Sequence, residues 1–259
     1  MAAVHYVEQG EGPTLLCLHG IGSSSGSFAR QLDGLADAHR VVAWDAPGYG
    51  KSADPEMAPG LPGYADAVVG LIATLGGERV HLLGVSWGGV LACQVALDHP
   101  ELLRSLILVD ASVGSGRTPA SAAAMRARPG DLAAQGPEAY ARERAPRLLS
   151  SAADADLVGE VNATMAHSLR LPGYRYAAEA MAATDLTGRL AQIAVPTLVL
   201  CGDEDTVTGP EQSWVLASGI RDAVYVSVRG AGHQANIERP EAINAWVASF
   251  IQIIERLYR

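Results

Sequence analysis

The sequence predicts an α/β fold, in which a mostly parallel central sheet is flanked by helices and carries a helical insertion. Two observations predict it. Short apolar runs bounded by Gly, Pro or Asp alternate with helix-length segments that carry apolar residues three and four positions apart. This alternation stops after Asp110 and resumes near Thr197. Strands that alternate with helices favour a parallel sheet with right-handed crossovers.

The first half of the chain supplies most of the sheet. The opening AVHYVEQGEGPTLL alternates in character around a Gly-Glu-Gly turn, which predicts an antiparallel hairpin at the sheet edge. Strands buried on both faces are predicted at 14–18, 40–44, 79–83 and 105–109. Helices between them are predicted at 24–36, 64–75 and 87–98.

The second half begins with the insertion. Residues 112–190 are rich in Ala, Arg, Leu and Met and are interrupted by five prolines, and they show no convincing strand pattern. The alternation then returns with a strand at 197–201, a helix near 210–219, a strand at 223–228 and a last helix at 240–258. We therefore predict one core domain from residues 1–111 and 191–259, interrupted by a helical domain at 112–190.

Composition excludes several classes of function. The net charge of -9 argues against a nucleic-acid surface. The start of the chain lacks the basic and apolar segments of a signal peptide, and no apolar run is long enough to span a membrane. The three cysteines, Cys17, Cys93 and Cys201, lie in apolar runs without metal-ligand spacing. We predict a cytoplasmic protein that binds a small molecule and neither nucleic acid, membrane nor metal.

One short motif predicts a nucleophile. The stretch from Gly84 to Gly88 reads G-V-S-W-G and matches the pattern G-x-S-x-G. It follows an apolar strand and precedes a helix, which is the setting that places a serine hydroxyl at the carboxyl end of a parallel sheet. We therefore predict Ser86 as the nucleophile.

A serine nucleophile needs a base at the same end of the sheet. His233, in the sequence RGAGHQ, follows a predicted strand and meets this condition. His81 lies within a strand, and His39 and His99 precede strands at the opposite end. His19 is predicted to hold the loop that follows its strand. His233 is therefore the predicted base.

A carboxylate must orient the base. The sequence TLVLCGDEDTV offers Asp203, Glu204 and Asp205 after another strand. Asp205 is favoured as the acid because it lies deeper in the loop. Asp203 is the alternative acid, although its carboxylate is also suited to cap a turn of the local backbone. The backbone N–H groups of Trp87 and Ile21 are the predicted donors for an oxyanion, since both follow strands at the same edge.

Five landmarks in this order resemble the α/β-hydrolase superfamily: LLCLHGIGSSSGSF, VVAWDAPGYGKS, LLGVSWGGVLA, VPTLVLCGDEDTV and GAGHQANIERPEAINAWVASFI. The resemblance implies the same triad and oxyanion hole and makes the insertion a cap. Within the superfamily the chain is similar to small bacterial esterases, enol-lactonases and carbon-carbon hydrolases of ring-cleavage products. Many carbon-carbon hydrolases carry Asn and Met beside the serine, where this chain has Val85 and Trp87.

The predicted activity is hydrolysis of a small-molecule carboxylic ester or lactone through an acyl-enzyme, without metal or organic cofactor. A carbon-carbon hydrolase with the same triad and a non-catalytic ligand receptor are the alternatives. The sequence specifies neither the substrate nor an oligomeric state. Four arginines of the insertion are candidates to bind a substrate carboxylate: Arg126, Arg128, Arg142 and Arg175. Three methionines are candidates to line an apolar pocket: Met125, Met165 and Met181.

Overall fold

A seven-stranded sheet runs through the centre of the computed structural model, which describes residues 4–257. Its strands are β1 (Tyr6–Gln9), β2 (Thr14–Leu18), β3 (Arg40–Trp44), β4 (Val80–Val85), β5 (Leu103–Val109), β6 (Thr197–Gly202) and β7 (Val224–Val228). They are ordered β1-β3-β2-β4-β5-β6-β7. All neighbours from β3 to β7 run parallel, so their carboxyl ends meet at one edge.

The predicted hairpin at the start of the chain is wrong in its pairing. β1 is an antiparallel edge strand, but its partner is β3, with Tyr6 opposite Trp44. The prediction failed because β2 takes parallel partners on both sides, β3 and β4, which leaves it no free edge. The Gly-Glu-Gly turn instead passes the end of β3, where a Cβ on Gly10 would lie 2.3 Å from the carbonyl oxygens of Ala36 and His39. Ala3, the first residue of the predicted hairpin, lies outside the described residues.

Ten α-helices surround the sheet in the described part of the chain. They are α1 (Ala29–Leu35), α2 (Gly60–Thr74), α3 (Trp87–Asp98), α4 (Pro119–Gln135), α5 (Pro137–Arg144), α6 (Ala155–Ser168), α7 (Leu171–Ala182), α8 (Gly209–Gly219), α9 (Ala235–Glu238) and α10 (Pro240–Leu257). The helix predicted at 24–36 begins with a 3₁₀ turn, Ser25–Phe28. Tyr258, the predicted end of the last helix, lies outside the described residues.

The side chains of the strands build one apolar core on each face of the sheet. Leu16 and Leu18 of β2 point to the face that α2 and α3 cover, while Leu15 and Cys17 point to the face of α10. α10 meets its face with a stripe of Ile243, Val247, Ile251 and Ile254, spaced four, four and three residues apart. Burial on both faces explains why these strands are continuous apolar runs.

Helices α4 to α7 lie between β5 and β6, within the helical insertion (residues 112–190). α4 packs on α7, and α5 packs on α6. Tyr140 and Tyr174 are buried among these helices, with their hydroxyl oxygens 2.7 Å apart. The insertion leaves the sheet at the carboxyl end of β5, and the chain returns beside its own start at Leu186, whose N–H donates to the Val113 carbonyl at 2.9 Å. The 3₁₀ segment Thr187–Gln192 then leads toward the amino end of β6, since β6 runs parallel to β5. Within residues 4–257, no helix is both long and apolar enough to cross a membrane.

Candidate active site

Ser86 lies on a sharp turn between β4 and α3, with φ 54° and ψ -116°. This left-handed conformation is uncommon for a non-glycine residue, and neighbouring glycines permit it. A Cβ on Gly84 would lie 2.2 Å from the carbonyl oxygen of Gly88, and a Cβ on Gly88 would lie 2.0 Å from that of Leu18. The Ser86 N–H donates to the Val109 carbonyl at 2.9 Å. The turn therefore holds the hydroxyl at the carboxyl edge of the sheet.

His233 links this hydroxyl to a carboxylate. Its Nε2 lies 2.9 Å from Ser86 Oγ, and its Nδ1 lies 3.0 Å from Asp205 Oδ2. All three side chains are buried. Because an ionised carboxylate only accepts hydrogen bonds, Nδ1 carries the proton and the Nε2 lone pair faces the serine. The structure thus brings together the three residues predicted as nucleophile, base and acid.

Four donors hold the carboxylate of Asp205. Oδ1 accepts the backbone N–H groups of Val207 (2.7 Å) and Thr208 (3.2 Å). Oδ2 accepts the Thr208 hydroxyl at 2.6 Å as well as His233. Burial by itself raises the pKa of Asp205, but the hydrogen bonds from His233, Thr208 and Val207 outweigh burial and hold that pKa well below its usual range. The site therefore keeps a negative charge beside the imidazole.

The other two carboxylates of this loop are engaged elsewhere. Asp203 is exposed, and its Oδ1 accepts the N–H of Gly230 at 2.7 Å, as expected for a residue that caps a turn. Glu204 is also exposed and accepts the N–H and hydroxyl of Ser151. Neither is hydrogen-bonded to His233, so the structure favours Asp205 over its alternative.

Asp110 is a member of the site that the sequence analysis missed. It follows β5 with φ 48° and is fully buried. Its two oxygens accept the N–H groups of Gly202 (2.8 Å) and Ala235 (2.9 Å), which join the loops of Asp205 and His233. Burial raises its pKa to about 7, and the nearby Asp205 charge adds to that rise. The sequence could have indicated Asp110 as a site residue, because it directly follows a predicted strand, as the other site residues do.

The loop after β2 lies beside the serine. A Cβ on Gly20 would lie 3.3 Å from the Cβ of Ser86, and Ile21 and Ser86 both line one cavity, described below. His19 fixes this loop: its Nε2 accepts the Ala46 N–H at 3.0 Å, so Nδ1 donates to the Gly20 carbonyl at 2.8 Å. Burial lowers the pKa of His19 to about 4, which keeps the ring neutral. His19 therefore supports the loop that carries Ile21.

Trp87 follows the serine as the first residue of α3, where backbone N–H groups have no partner within the helix. Its indole is fully buried against Tyr64 (ring centroids 5.0 Å apart), Tyr49 (5.6 Å) and His19 (6.1 Å). Trp44 completes this aromatic cluster, 6.3 Å from His19. The cluster fixes the backbone on either side of the serine.

A cavity of about 770 Å³, counted to its open mouth, lies above Ser86. The three predicted methionines of the insertion, Met125, Met165 and Met181, line it together with Tyr174. The insertion therefore supplies the apolar wall opposite the triad.

The predicted arginines separate into two groups. Arg128 lines the cavity, and so does Arg144 at the end of α5, which the sequence analysis did not single out. Arg126 pairs with Glu179 at 2.9 Å on the outside. The remaining two candidates, Arg142 and Arg175, are exposed and do not line the cavity.

One group of side chains has the elements of a metal site. Asp110, Cys201 and Asp205 place one potential ligand atom each within 4.8 Å of one another. Burial raises the pKa of the Cys201 thiol to about 12, and all four carboxylate oxygens already accept N–H or O–H donors. A metal ligand must be a thiolate or a free carboxylate lone pair, so these residues do not fit a metal ion.

The chain is similar to known proteins in both sequence and structure. A family model described as the alpha/beta hydrolase family matches residues 15–246. A protein of Variovorax paradoxus named as a carbamate hydrolase, RutD, is 31% identical, with 96% of each chain covered. The 2-hydroxy-6-oxo-6-phenylhexa-2,4-dienoate hydrolase of Comamonas testosteroni is 31% identical over 96% of this chain and 91% of its own. The enol-lactonase of Burkholderia xenovorans LB400 superposes with a TM-score of 0.87 at 27% identity, with 96% of each chain covered.

Proposed function

This chain belongs to the alpha/beta hydrolase family, and from that premise we propose that it is a serine hydrolase of small-molecule carboxylic esters or lactones. The observation that carries the proposal is the hydrogen-bonded chain from Ser86 Oγ through His233 to Asp205. Its distances of 2.9 Å and 3.0 Å suit transfer of a proton from the hydroxyl to the imidazole.

In the proposed reaction, Ser86 Oγ attacks the substrate carbonyl as His233 Nε2 takes its proton. Asp205 stabilises the imidazolium that forms, and the N–H groups of Ile21 and Trp87 stabilise the oxyanion. The imidazolium then protonates the leaving alkoxide, which departs and leaves an acyl-serine. Water, deprotonated by His233, attacks this ester, and the collapse of the second tetrahedral intermediate returns the proton to Ser86 and releases the carboxylic acid.

We further propose that residues 112–190 form a cap domain on a core of residues 1–111 and 191–259. The cap supplies the Met125, Met165 and Tyr174 side chains over the serine, which supports a role in choosing the substrate and excluding water. Asp110 is proposed as a positioning residue, because it ties the acid loop to the histidine loop.

A carbon-carbon hydrolase of ring-cleavage products is the second candidate. The observation in its favour is the similarity to the Comamonas testosteroni enzyme of that class. The residues beside the nucleophile, Val85 and Trp87, differ from those common in that class, which favours the ester or lactone hydrolase.

The test compares wild-type protein with Ser86→Ala on p-nitrophenyl acetate, following nitrophenolate from the first turnover. We expect a rapid first release from wild type and none from the variant, because the acyl group is transferred to Ser86. Ser218→Ala is the matched control: this exposed serine on α8 bonds only to the carbonyls of its own helix. Release that persists in Ser86→Ala would refute the proposed nucleophile. No release from folded wild type would shift support to the second candidate or to a receptor.

A further inference from the structure

Arg128 and Arg144 lie where the active-site cavity meets the surface. Both line the cavity that contains Ser86 and His233. Both also line a second, outer depression, and Val207 is shared between the two spaces. A ligand that passes between the outer depression and the serine therefore passes these two guanidinium groups.

Four other arginines of the helical insertion have carboxylate partners that these two lack. Arg126, Arg147, Arg170 and Arg189 each pair with a carboxylate at 2.8 Å to 2.9 Å. Three more have no such partner among the described residues either, but they are exposed, whereas Arg128 and Arg144 are half-buried in the cavity wall: Arg117, Arg142 and Arg175. Within residues 4–257, neither Arg128 nor Arg144 has a carboxylate oxygen within 4.0 Å. Among the described residues that line the inner cavity there is no Asp or Glu. The described lining of the inner cavity therefore contains two positively charged side chains and no acidic one.

The surroundings of Arg128 also favour binding of a negatively charged group. Arg128 is half-buried, and its pKa is lowered first by burial and then by the neighbouring positive charge of Arg144. Two like charges held near each other without a counter-ion are unfavourable, and a bound anion would relieve both effects. Glu204 lines only the outer depression, where it accepts the Ser151 donors.

The cap also holds the pair in place. The Arg144 guanidinium carbon lies 5.4 Å from the centroid of the Tyr140 ring, at a distance typical of a cation-π contact. Tyr140 in turn is hydrogen-bonded to Tyr174, whose hydroxyl lies near Arg128. One pair of tyrosines thus supports both arginines, which is the rigidity that a binding site requires.

We propose that Arg128 and Arg144 bind a carboxylate group of the substrate, so that the preferred substrates are esters or lactones that carry a second, ionised carboxyl group. The planar guanidinium matches the two oxygens of a carboxylate, and the absence of acidic side chains from the described cavity lining removes internal competition. This inference rests on the proposed function, because it assigns the substrate class of the same site.

The kinetic test uses two esters with acyl chains of equal length: mono-p-nitrophenyl adipate, which ends in a carboxylate, and p-nitrophenyl hexanoate, which ends in a methyl group. Wild type is expected to prefer the adipate ester. The double variant Arg128→Gln/Arg144→Gln is expected to lower kcat/KM for the adipate ester by about 10- to 100-fold while sparing the hexanoate ester, as for loss of a charged hydrogen bond. Arg142→Gln, an exposed change of the same kind on α5, serves as the control.

The inference would be overturned if the double variant lowered both rates equally, or if wild type preferred the hexanoate ester. A binding measurement keeps the test independent of turnover: adipate is titrated calorimetrically into Ser86→Ala protein with and without the two arginines. Binding that requires the arginines supports the carboxylate site even if no ester is cleaved, an outcome that would count against the proposed function alone. Equal binding with and without them, or tighter binding of inorganic phosphate, would refute the carboxylate site.

Discussion

Replacing Asp205 by Asn tests how the acid directs the proton of His233. In the native site, Oδ1 accepts two backbone N–H groups, from Val207 and Thr208. An Asn side chain must keep its carbonyl oxygen at that position, because a backbone N–H cannot accept a hydrogen bond. Its amide nitrogen then occupies the position of Oδ2 and faces His233 Nδ1.

This orientation of the Asn side chain reverses the tautomer of the His233 imidazole. With an N–H₂ donor opposite it, Nδ1 must accept, so the ring proton moves to Nε2 and faces Ser86. The imidazole can then no longer take the proton of the serine. Turning the Asn side chain over would restore the productive tautomer but would deprive both backbone N–H groups of Val207 and Thr208 of their acceptor.

The size of the effect follows from these contacts. Each buried donor left without an acceptor costs about 1–3 kcal/mol, so the turned-over state lies roughly 2–6 kcal/mol higher. Since about 1.4 kcal/mol corresponds to a factor of ten in rate, kcat should fall by roughly 30- to 20,000-fold. KM for a small ester should change little, because Asp205 is buried behind the imidazole and does not line the cavity.

Steady-state hydrolysis of p-nitrophenyl acetate measures this loss, with Asp203→Asn as the matched control. Asp203 lies two residues away and undergoes the same chemical change, but it contacts only the Gly230 N–H. Thermal unfolding of both variants separates loss of activity from loss of structure. Wild-type activity in Asp205→Asn, or an equal loss in Asp203→Asn, would refute the tautomer reasoning and the choice of acid.

Three further predictions concern stability. Because the Asp110 pKa is raised from 3.8 to about 7, the folded state binds the extra proton between those values, and the contribution of Asp110 falls as pH rises through about 7. Urea unfolding at pH 5 and pH 8 should therefore show Asp110→Asn becoming more stable relative to wild type at the higher pH, whereas a constant difference would contradict the raised pKa. Gly88→Ala should be destabilised by several kcal/mol or fail to fold, because its Cβ would lie 2.0 Å from the Leu18 carbonyl oxygen. By contrast, Gly159→Ala in α6, where no atom lies within 4 Å of the added Cβ, should be stabilised by about 0.5–1 kcal/mol in the same denaturation assay.

Local sequence patterns were sufficient to predict the parallel strands of the sheet. The strands β2 and β3 begin and end at the predicted residues, because continuous burial on both faces leaves an apolar run with clear ends. The pairing of β1 was not predictable from its own residues, since alternation reports which face is buried but not which strand lies alongside. That choice depends on β3, a partner distant in sequence.

In the candidate site, too, some residues were predictable from the local sequence and others were not. Ser86, Asp205 and His233 each follow a strand, so that the parallel topology alone brings them to one edge. Arg144 lies on a helix of the insertion, and nothing in its spacing distinguishes a charge that faces the cavity from one that faces solvent. Its place in the cavity lining depends on the packing of α5 against α4 and α6, which is a tertiary property.

The aromatic cluster under Ser86 has a consequence for the fluorescence of the protein. Trp44 and Trp87 are fully buried, whereas Trp214 and Trp246 are 59% and 46% exposed. A polar quencher such as acrylamide will therefore extinguish the emission of the outer pair first. The fluorescence that remains after quenching comes mainly from the indoles of the cluster. One of them belongs to Trp87, the residue that follows Ser86 in the chain. The protein thus contains a buried fluorophore in the residue next to the proposed nucleophile, and a change in its emission when an ester is added would report the proposed acylation without a chromogenic substrate.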